Sequence, residues 1–366
     1  MHGIPEPQAM TCVVCPPLAS GTATGWRTVA GGFSLIELMV GLTIGLLLLI
    51  GLTLLFANTS TARSELDKAS RQIESGLYAM QIIADEVRHA GYYGPLINAP
   101  TVPGSVTSLP DPCSTTLSVV QNSLGIPLQG YAGAASAASL DAGNLGCLGA
   151  VAGYKANTAV LVVRRANTSI GASAPTSGWF NIQVSGCAGD TTPYVLDVDT
   201  NAPAFNLHSN GAPGCTPVAS APAAKITPYY IRIYFISTCS GTDCSAAGAD
   251  SVPTLKRADV TPAGTTITPM VDGIENLQFD YGIDTTAAPG DGTPDVYANA
   301  PLTLIQWQNV MSARIHVLAR NVDATGSHTD AKTYSLGPVS VTPGGAFRRH
   351  AFNELVRLYN PAGRRE

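Results

Sequence analysis

Three groups of residues have the types and spacing to do chemistry. The first is Glu37, a carboxylate four residues after Phe33 and next to twenty uncharged residues, Leu38–Ala57 (LMVGLTIGLLLLIGLTLLFA). A carboxylate within a membrane helix costs about 2.5–3.5 kcal/mol on insertion scales and needs a partner. Cleavage after Gly32 would give Phe33 a positive α-amine. That amine could pair with Glu37 one helical turn on, or with Glu37 of a neighbouring subunit; otherwise the carboxylate snorkels to the interface. The second group is the cysteines, eight in all. Cys12 and Cys15 form a C-x-x-C near the start with no second pair to complete a metal site. The other six, Cys113, Cys147, Cys187, Cys215, Cys239 and Cys244, are even in number, as three disulfides in an oxidising compartment require. Six cysteines allow 15 connectivities, among which the sequence does not choose; Cys239 and Cys244 flank Ser-Gly-Thr-Asp, a turn able to join them, and Cys113 with Cys147 and Cys187 with Cys215 are the candidate pairs beside it. The third group is Asp284, Asp291 and Asp295, in a loop with Gly290 and Gly292. They could offer oxygen ligands to Ca²⁺, but the EF-hand spacing is not met, and Asp and Gly are ordinary turn residues.

Signatures of catalysis are missing. The chain has no H-E-x-x-H, G-x-S-x-G or G-x-x-x-x-G-K-[ST], and its six His, at 2, 89, 208, 316, 328 and 350, are scattered. No enzyme and no cofactor is expected. Arg348, Arg349, Arg357, Arg364 and Arg365 make the C-terminal end basic. The net charge of −5 and the few aromatics nearby (Phe347, Phe352, Tyr359) argue against nucleic acid as a partner.

The elements that must position these groups follow from patterning. The 366 residues are 45% hydrophobic and only 12% charged, which excludes wholesale disorder. At about 1.5 Å per residue, Leu38–Ala57 spans roughly 30 Å, the thickness of a bilayer's hydrocarbon core. It is too long for the apolar core of a cleaved secretory signal. Gly41, Gly45 and Gly51 would allow close helix approach. Beyond the span, Leu66, Ile73, Met80 and Val87 recur every seven residues, joined by Leu77 and Ala84, with Arg63, Glu65, Asp67, Lys68, Arg71, Glu74, Asp85 and Arg88 around them. This stripe predicts one helix from Phe33 to about His89, ended by Gly91 and Tyr92-Tyr93-Gly94-Pro95. The stripe can pack on the protein's own sheet, which should use most of it, or on helices of adjacent subunits. From Pro95 the composition turns to Gly, Ala, Ser, Thr, Pro and Val. Strands are expected over 159–164, 229–237, 277–281 and 310–318, and a near low-complexity surface loop over 131–153. The fold class is α+β, a long N-terminal helix on an antiparallel sheet.

Gly31-Gly32-Phe33-Ser34-Leu35-Ile36-Glu37-Leu38 resembles the class III signal of type IV pilins and pseudopilins. The resemblance implies that a prepilin peptidase cuts between Gly32 and Phe33, that Phe33 is N-methylated, and that Glu37 guides assembly into a filament. The leader departs from that class in being long and in carrying only one basic residue, Arg27; translation from Met10 is an alternative start. Further pieces, IIADEVRHAGYYG at 82–94, LVVRRA at 161–166, YYIRIY at 229–234, VDGIENLQFDYGID at 271–284, WQNVMSARIHVLAR at 307–320 and residues 347–360, resemble PilW-type minor pilins. The fold so implied is type IV pilin-like, with long disulfide-bearing loops. The implied organisation is a removed leader (1–32), a transmembrane helix (33–57), an amphipathic helix and turn (58–94) and a β-rich domain (95–366). It implies a single-pass protein of the bacterial inner membrane, with its C-terminal domain in the periplasm and then in the pilus at the cell surface. Its implied partners are the prepilin peptidase, other minor pilins, the major pilin and the inner-membrane assembly platform. Its implied role is to initiate pilus assembly, at or near the tip. The alternatives are a J-type minor pseudopilin of type II secretion, or an adhesin whose 95–225 region binds a surface.

Overall fold

The computed structural model describes residues 32–96, 100–140, 145–210, 215, 221–326 and 328–365. Most of the leader, with Cys12, Cys15, Arg27 and Gly31, lies outside the described residues. The chain divides into two compact units at Ser60–Thr61. Helix α1, Leu35–His89, contributes to both, and its 55 residues match the single helix expected from the patterning.

In the first unit α1 starts after the non-helical residues Gly32, Phe33 and Ser34. It is long and apolar enough to cross a membrane, and its most apolar window buries nothing within the protein. Its three threonine hydroxyls are satisfied inside the helix: Thr43 donates to the Val40 carbonyl at 2.9 Å, Thr53 to Leu49 at 2.7 Å and Thr59 to Leu55 at 2.9 Å. A bilayer core requires that self-sufficiency, since it offers no water to bond.

The second unit, Thr61–Glu366, builds two antiparallel sheets. The first contains β1 (Leu128–Tyr131), β2 (Val160–Ala166), β3 (Phe180–Val184), β4 (Tyr194–Val198), β5 (Ile226–Ser237), β6 (Thr254–Thr261) and β7 (Gly264–Asp272). Its order is β1-β2-β5-β3-β4, with β6 between β5 and β7. The twelve-residue β5 is the spine. Along one edge its first half pairs β3, Tyr229 opposite Phe180, and its second half pairs β6, Ile231 opposite Val260; β2 takes the other edge. The second sheet has the order β13-β10-β8-β9, from β8 (Ile274–Ile283), β9 (Val296–Ala298), β10 (Val310–Arg320) and β13 (Arg349–Arg357). A small hairpin pairs β11 (Tyr334–Leu336) with β12 (Val339–Val341). Gly273 alone links β7 to β8. Its φ of +79° and the Arg320 carbonyl 2.7 Å from where a Cβ would stand leave room only for glycine.

Both faces of the first sheet are covered, which is why β2 reads as a nearly unbroken apolar run. On one face Leu161, Val163, Tyr234, Ile236 and Leu255 join Leu277, Ile315 and Val317 of the second sheet under Ala79, Met80, Ile83, Ala84 and Val87 of α1. On the other face Val160, Val162, Phe180, Tyr229, Ile233 and Val260 pack against Leu124, Leu140, Leu145 and Leu148.

Two expectations are refined here. Among its described residues the 131–153 segment is irregular and mostly exposed, as a surface loop is, but Ala137, Leu140, Leu145, Leu148 and Ala152 are buried and anchor it on the sheet. Its small residues let the backbone lie close while the leucines fill the space above the sheet, and Cys147 ties it to Cys113. The α1 stripe, second, is only partly used by the protein's own sheets. Leu66, Ile73 and Leu77 are 69%, 46% and 55% exposed, whereas the buried face is Gln72, Gly76, Ala79, Met80, Ile83, Ala84, Glu86 and Val87. The sheets meet the helix about a quarter-turn from the heptad stripe at its start. Contact there is close: a Cβ on Gly76 would stand 2.1 Å from Cε2 of Phe352 on β13.

Candidate functional site

Two parts of the molecule hold the residues relevant to function, and each is built by one unit. At the start of α1 the Gly32–Phe33 peptide lies ahead of the first helical residue, and Phe33 is 86% exposed. A non-helical, accessible peptide is one a protease can reach. Glu37 accepts a hydrogen bond from the Ser34 N–H at 3.1 Å through Oε2 and so caps the first turn. Its carboxylate is exposed to solvent, with charge left to offer a cation. Phe33, Glu37, Leu38, Gly41, Leu42 and Gly45 line a shallow groove along the helix. Nothing stands within 4 Å of where a Cβ would be on Gly41, Gly45 or Gly51, so all three notches are open.

In the second unit, charged residues clamp α1 to both sheets. The nearly buried Glu86 accepts two bonds from Arg165 of β2, at 2.9 and 3.0 Å, and one from Arg232 of β5 at 2.5 Å. Arg232 also donates to Asp259 of β6 at 3.2 Å, and Arg257 to the same carboxylate at 2.9 Å. The Tyr230 ring lies 4.4 Å from the Arg232 guanidinium. Burial pushes the Glu86 pKa up, but the Arg165 hydrogen bonds and the two guanidinium charges overrule it and hold the carboxyl below its usual range. On the second sheet, Arg88 pairs with Glu354 of β13 at 2.7 Å, and Gln72 donates to the Ala319 carbonyl of β10 at 2.9 Å. At the C-terminal end, Asn360 donates to the Ala90 carbonyl and Arg364 to that of Gly91. Sequence reasoning missed this clamp. Glu86, the one charged residue among the buried residues of α1, was the available signal.

The six cysteines pair as Cys113–Cys147, Cys187–Cys215 and Cys239–Cys244. The aspartate loop does not gather its carboxylates. Asp284 is fully buried and accepts from Arg365 at 3.1 Å and from the N–H groups of Thr286 and Gly292. Asp295 accepts from Thr285, and Asp291 from the N–H of Thr293. These are turn and ion-pair roles. Among the described residues no three His, Cys, Asp or Glu side chains come together to hold a metal.

Two histidines meet carboxylates. His316 Nε2 lies 3.0 Å from Asp280, and His208 Nδ1 lies 2.8 Å from Asp190, which also accepts from Ser185 at 2.6 Å. Asp190 stands between the other two, so the imidazole is not placed to take the Ser185 proton, as nucleophilic catalysis requires. The C-terminal arginines are likewise engaged: Arg349 with Glu275 and Asp330, Arg364 with Gly91, Arg365 with Asp284. These three are engaged in internal contacts, whereas Arg348, 3.4 Å from Glu65, and Arg357 are exposed.

No curated protein and no solved structure matches the chain. Residues 233–360, from the second half of β5 through the whole second sheet, match the family model of the type IV pilus-assembly protein W.

Proposed function

We propose that this protein is a minor pilin, held in the inner membrane by α1, that takes part in initiating type IV pilus assembly and sits at or near the pilus tip. The observation that carries the reading is the match of residues 233–360 to the type IV pilus-assembly protein W family, which points to a role in pilus assembly. The apolar first part of α1 fits membrane anchorage. In this reading a prepilin peptidase cuts the exposed Gly32–Phe33 peptide and Phe33 is methylated. Glu37 then pairs with the N-terminal amine of a neighbouring subunit, an attraction strengthened in the bilayer's low dielectric. The exposed Leu66, Ile73 and Leu77 supply a second contact line for other minor pilins or the major pilin, above an inner-membrane assembly platform. The work is done by contact, with no chemistry of the protein's own.

A clean in-frame deletion, scored for surface pili and for secreted type II substrates, tests this reading. Loss of pili and twitching with normal secretion is the expected result. Normal pili with blocked secretion would move the protein to the pseudopilins, and lost adhesion with a normal number of pili would make it an adhesin. Complementation with Gly32→Ala tests processing: unchanged size and unchanged piliation would show that cleavage there is not required.

A further inference from the structure

Lys256, on β6, is fully buried, yet no carboxylate lies within 4.0 Å of it among the described residues. Its Nζ instead faces the Cys239–Cys244 disulfide, 3.2 Å from Cys244 Sγ and 3.5 Å from Cys239 Sγ, with the Ala152 carbonyl at 3.4 Å. A buried ammonium without an anionic partner is costly, and disulfide sulfurs are weak acceptors. The nearest acidic groups act on it from a distance and have other partners: Asp243 accepts from Ser245, Asp250 from Ser240 and the Val252 N–H, and Asp272 from Thr254. Burial lowers the Lys256 pKa. What would satisfy this amine is a thiolate at either sulfur position, and only the reduced form provides one.

We propose that Cys239–Cys244 is a thiol–disulfide exchange site for a dithiol reductant, with Lys256 Nζ stabilising the thiolate that reduction releases. The loop is placed for attack: Cys244 is half-buried, and Gly241, Thr242 and Asp243 beside it are exposed, while Cys239 is buried. A thiolate of the dithiol bonds to Cys244 Sγ, the Cys239–Cys244 bond breaks, and its electron pair leaves with Cys239 Sγ beside Lys256. The second thiol of the reductant, once deprotonated, then attacks the mixed disulfide and releases Cys244 as a thiolate. Two electrons pass from the dithiol, which becomes a disulfide, to the cysteine pair. Of the two protons the reductant gives up, one protonates Cys244 and the other is held between Lys256 and the Cys239 thiolate beside it. A stabilised leaving thiolate speeds exchange and raises the reduction potential. Neither of the other two disulfides has a cationic side chain among its hydrogen-bonding partners in the described residues.

The test uses the full chain in detergent, equilibrated in graded mixtures of reduced and oxidised dithiothreitol, then alkylated and analysed peptide by peptide. Cys239–Cys244 should open at a reductant ratio at least tenfold lower than Cys113–Cys147 or Cys187–Cys215. Lys256→Met should shift that midpoint at least tenfold towards harder reduction, about 30 mV, and slow the exchange; Lys256→Arg should restore most of both. The midpoints of the other two disulfides report whether each variant is folded. Three disulfides opening together in the wild-type chain would overturn the proposal. So would an unchanged Cys239–Cys244 midpoint in folded Lys256→Met. If Lys256→Met disturbs the other midpoints, Lys256→Gln replaces it under the same criterion.

Discussion

Glu86→Gln isolates the clamp between α1 and the first sheet. The wild-type carboxylate receives three charge-assisted hydrogen bonds, and its side chain, like that of Arg165, is only 11% exposed, with Arg232 at 14%. Glutamine keeps one oxygen as an acceptor but turns an NH₂ group towards the guanidiniums, so about two of the three bonds are lost. Bonds to charged groups contribute about 1.5–3 kcal/mol each. Arg232 and Arg257 would still share Asp259, whereas Arg165 would lose its carboxylate and keep the Ala166 carbonyl at 3.2 Å. The expected cost is about 3 kcal/mol, at the lower end of the range for breaking a buried pair from one side. Urea unfolding of the full chain in detergent, followed by Trp307 and Trp179 fluorescence, measures it. The pH dependence supplies an internal check. Since the folded Glu86 pKa lies below its ordinary value of 4.5, its stabilisation is fully present above that value and is lost as pH falls through the folded pKa. The gap between wild type and Glu86→Gln should therefore be constant from neutral pH down to about 5 and narrow below 4.5. A gap under about 1 kcal/mol at pH 7, or one that survives acidification undiminished, would refute the reasoning.

Gly76→Ala should destabilise the domain by about 1–3 kcal/mol, because the new methyl overlaps the Phe352 ring; Phe352→Leu in the same chain should recover part of the loss in the same unfolding assay. Replacing Leu66, Ile73 and Leu77 together by Ser should change stability by less than about 0.5 kcal/mol per site, since all three are exposed, while abolishing piliation; normal pili would remove this stripe from the assembly contacts. Asp284→Asn should cost about 2–3 kcal/mol by leaving Arg365 without its carboxylate, and calcium should leave the melting temperature of the wild-type chain unchanged. A calcium-dependent rise that Asp284→Asn abolishes would reinstate the loop as a cation site.

Much of this architecture was legible in local patterns. The charge-free run at 38–57, the 55-residue helix and the strands β2, β5, β8 and β10 all follow from periodicity and composition over short windows. Each strand is longer than expected, as for β5, which begins at Ile226 rather than Tyr229, although β2 starts one residue later than expected, at Val160, and runs on to Ala166. Pairing extends a strand wherever a neighbour is available, and no window on one segment shows where its neighbour ends. The 131–153 segment was legible as a loop from its alanines and glycines, but the burial of its intermittent leucines was not, because burial depends on the sheet beneath them.

By itself, then, the sequence determined that a long helix begins with an apolar span, that Glu37 stands at its head four residues after Phe33, and that an antiparallel β-rich unit with six cysteines follows. These properties are carried by neighbouring residues and by backbone periods that hold in any surroundings. Only the tertiary structure decided which side of α1 is buried, because that depends on where two sheets meet it. It alone joined Glu86 to Arg165 and Arg232, which lie 79 and 146 residues away along the chain. It also set Lys256 against a disulfide from the adjoining strand's loop. Burial and charge pairing are properties of a site in space, and sites made from distant segments leave no local period to read.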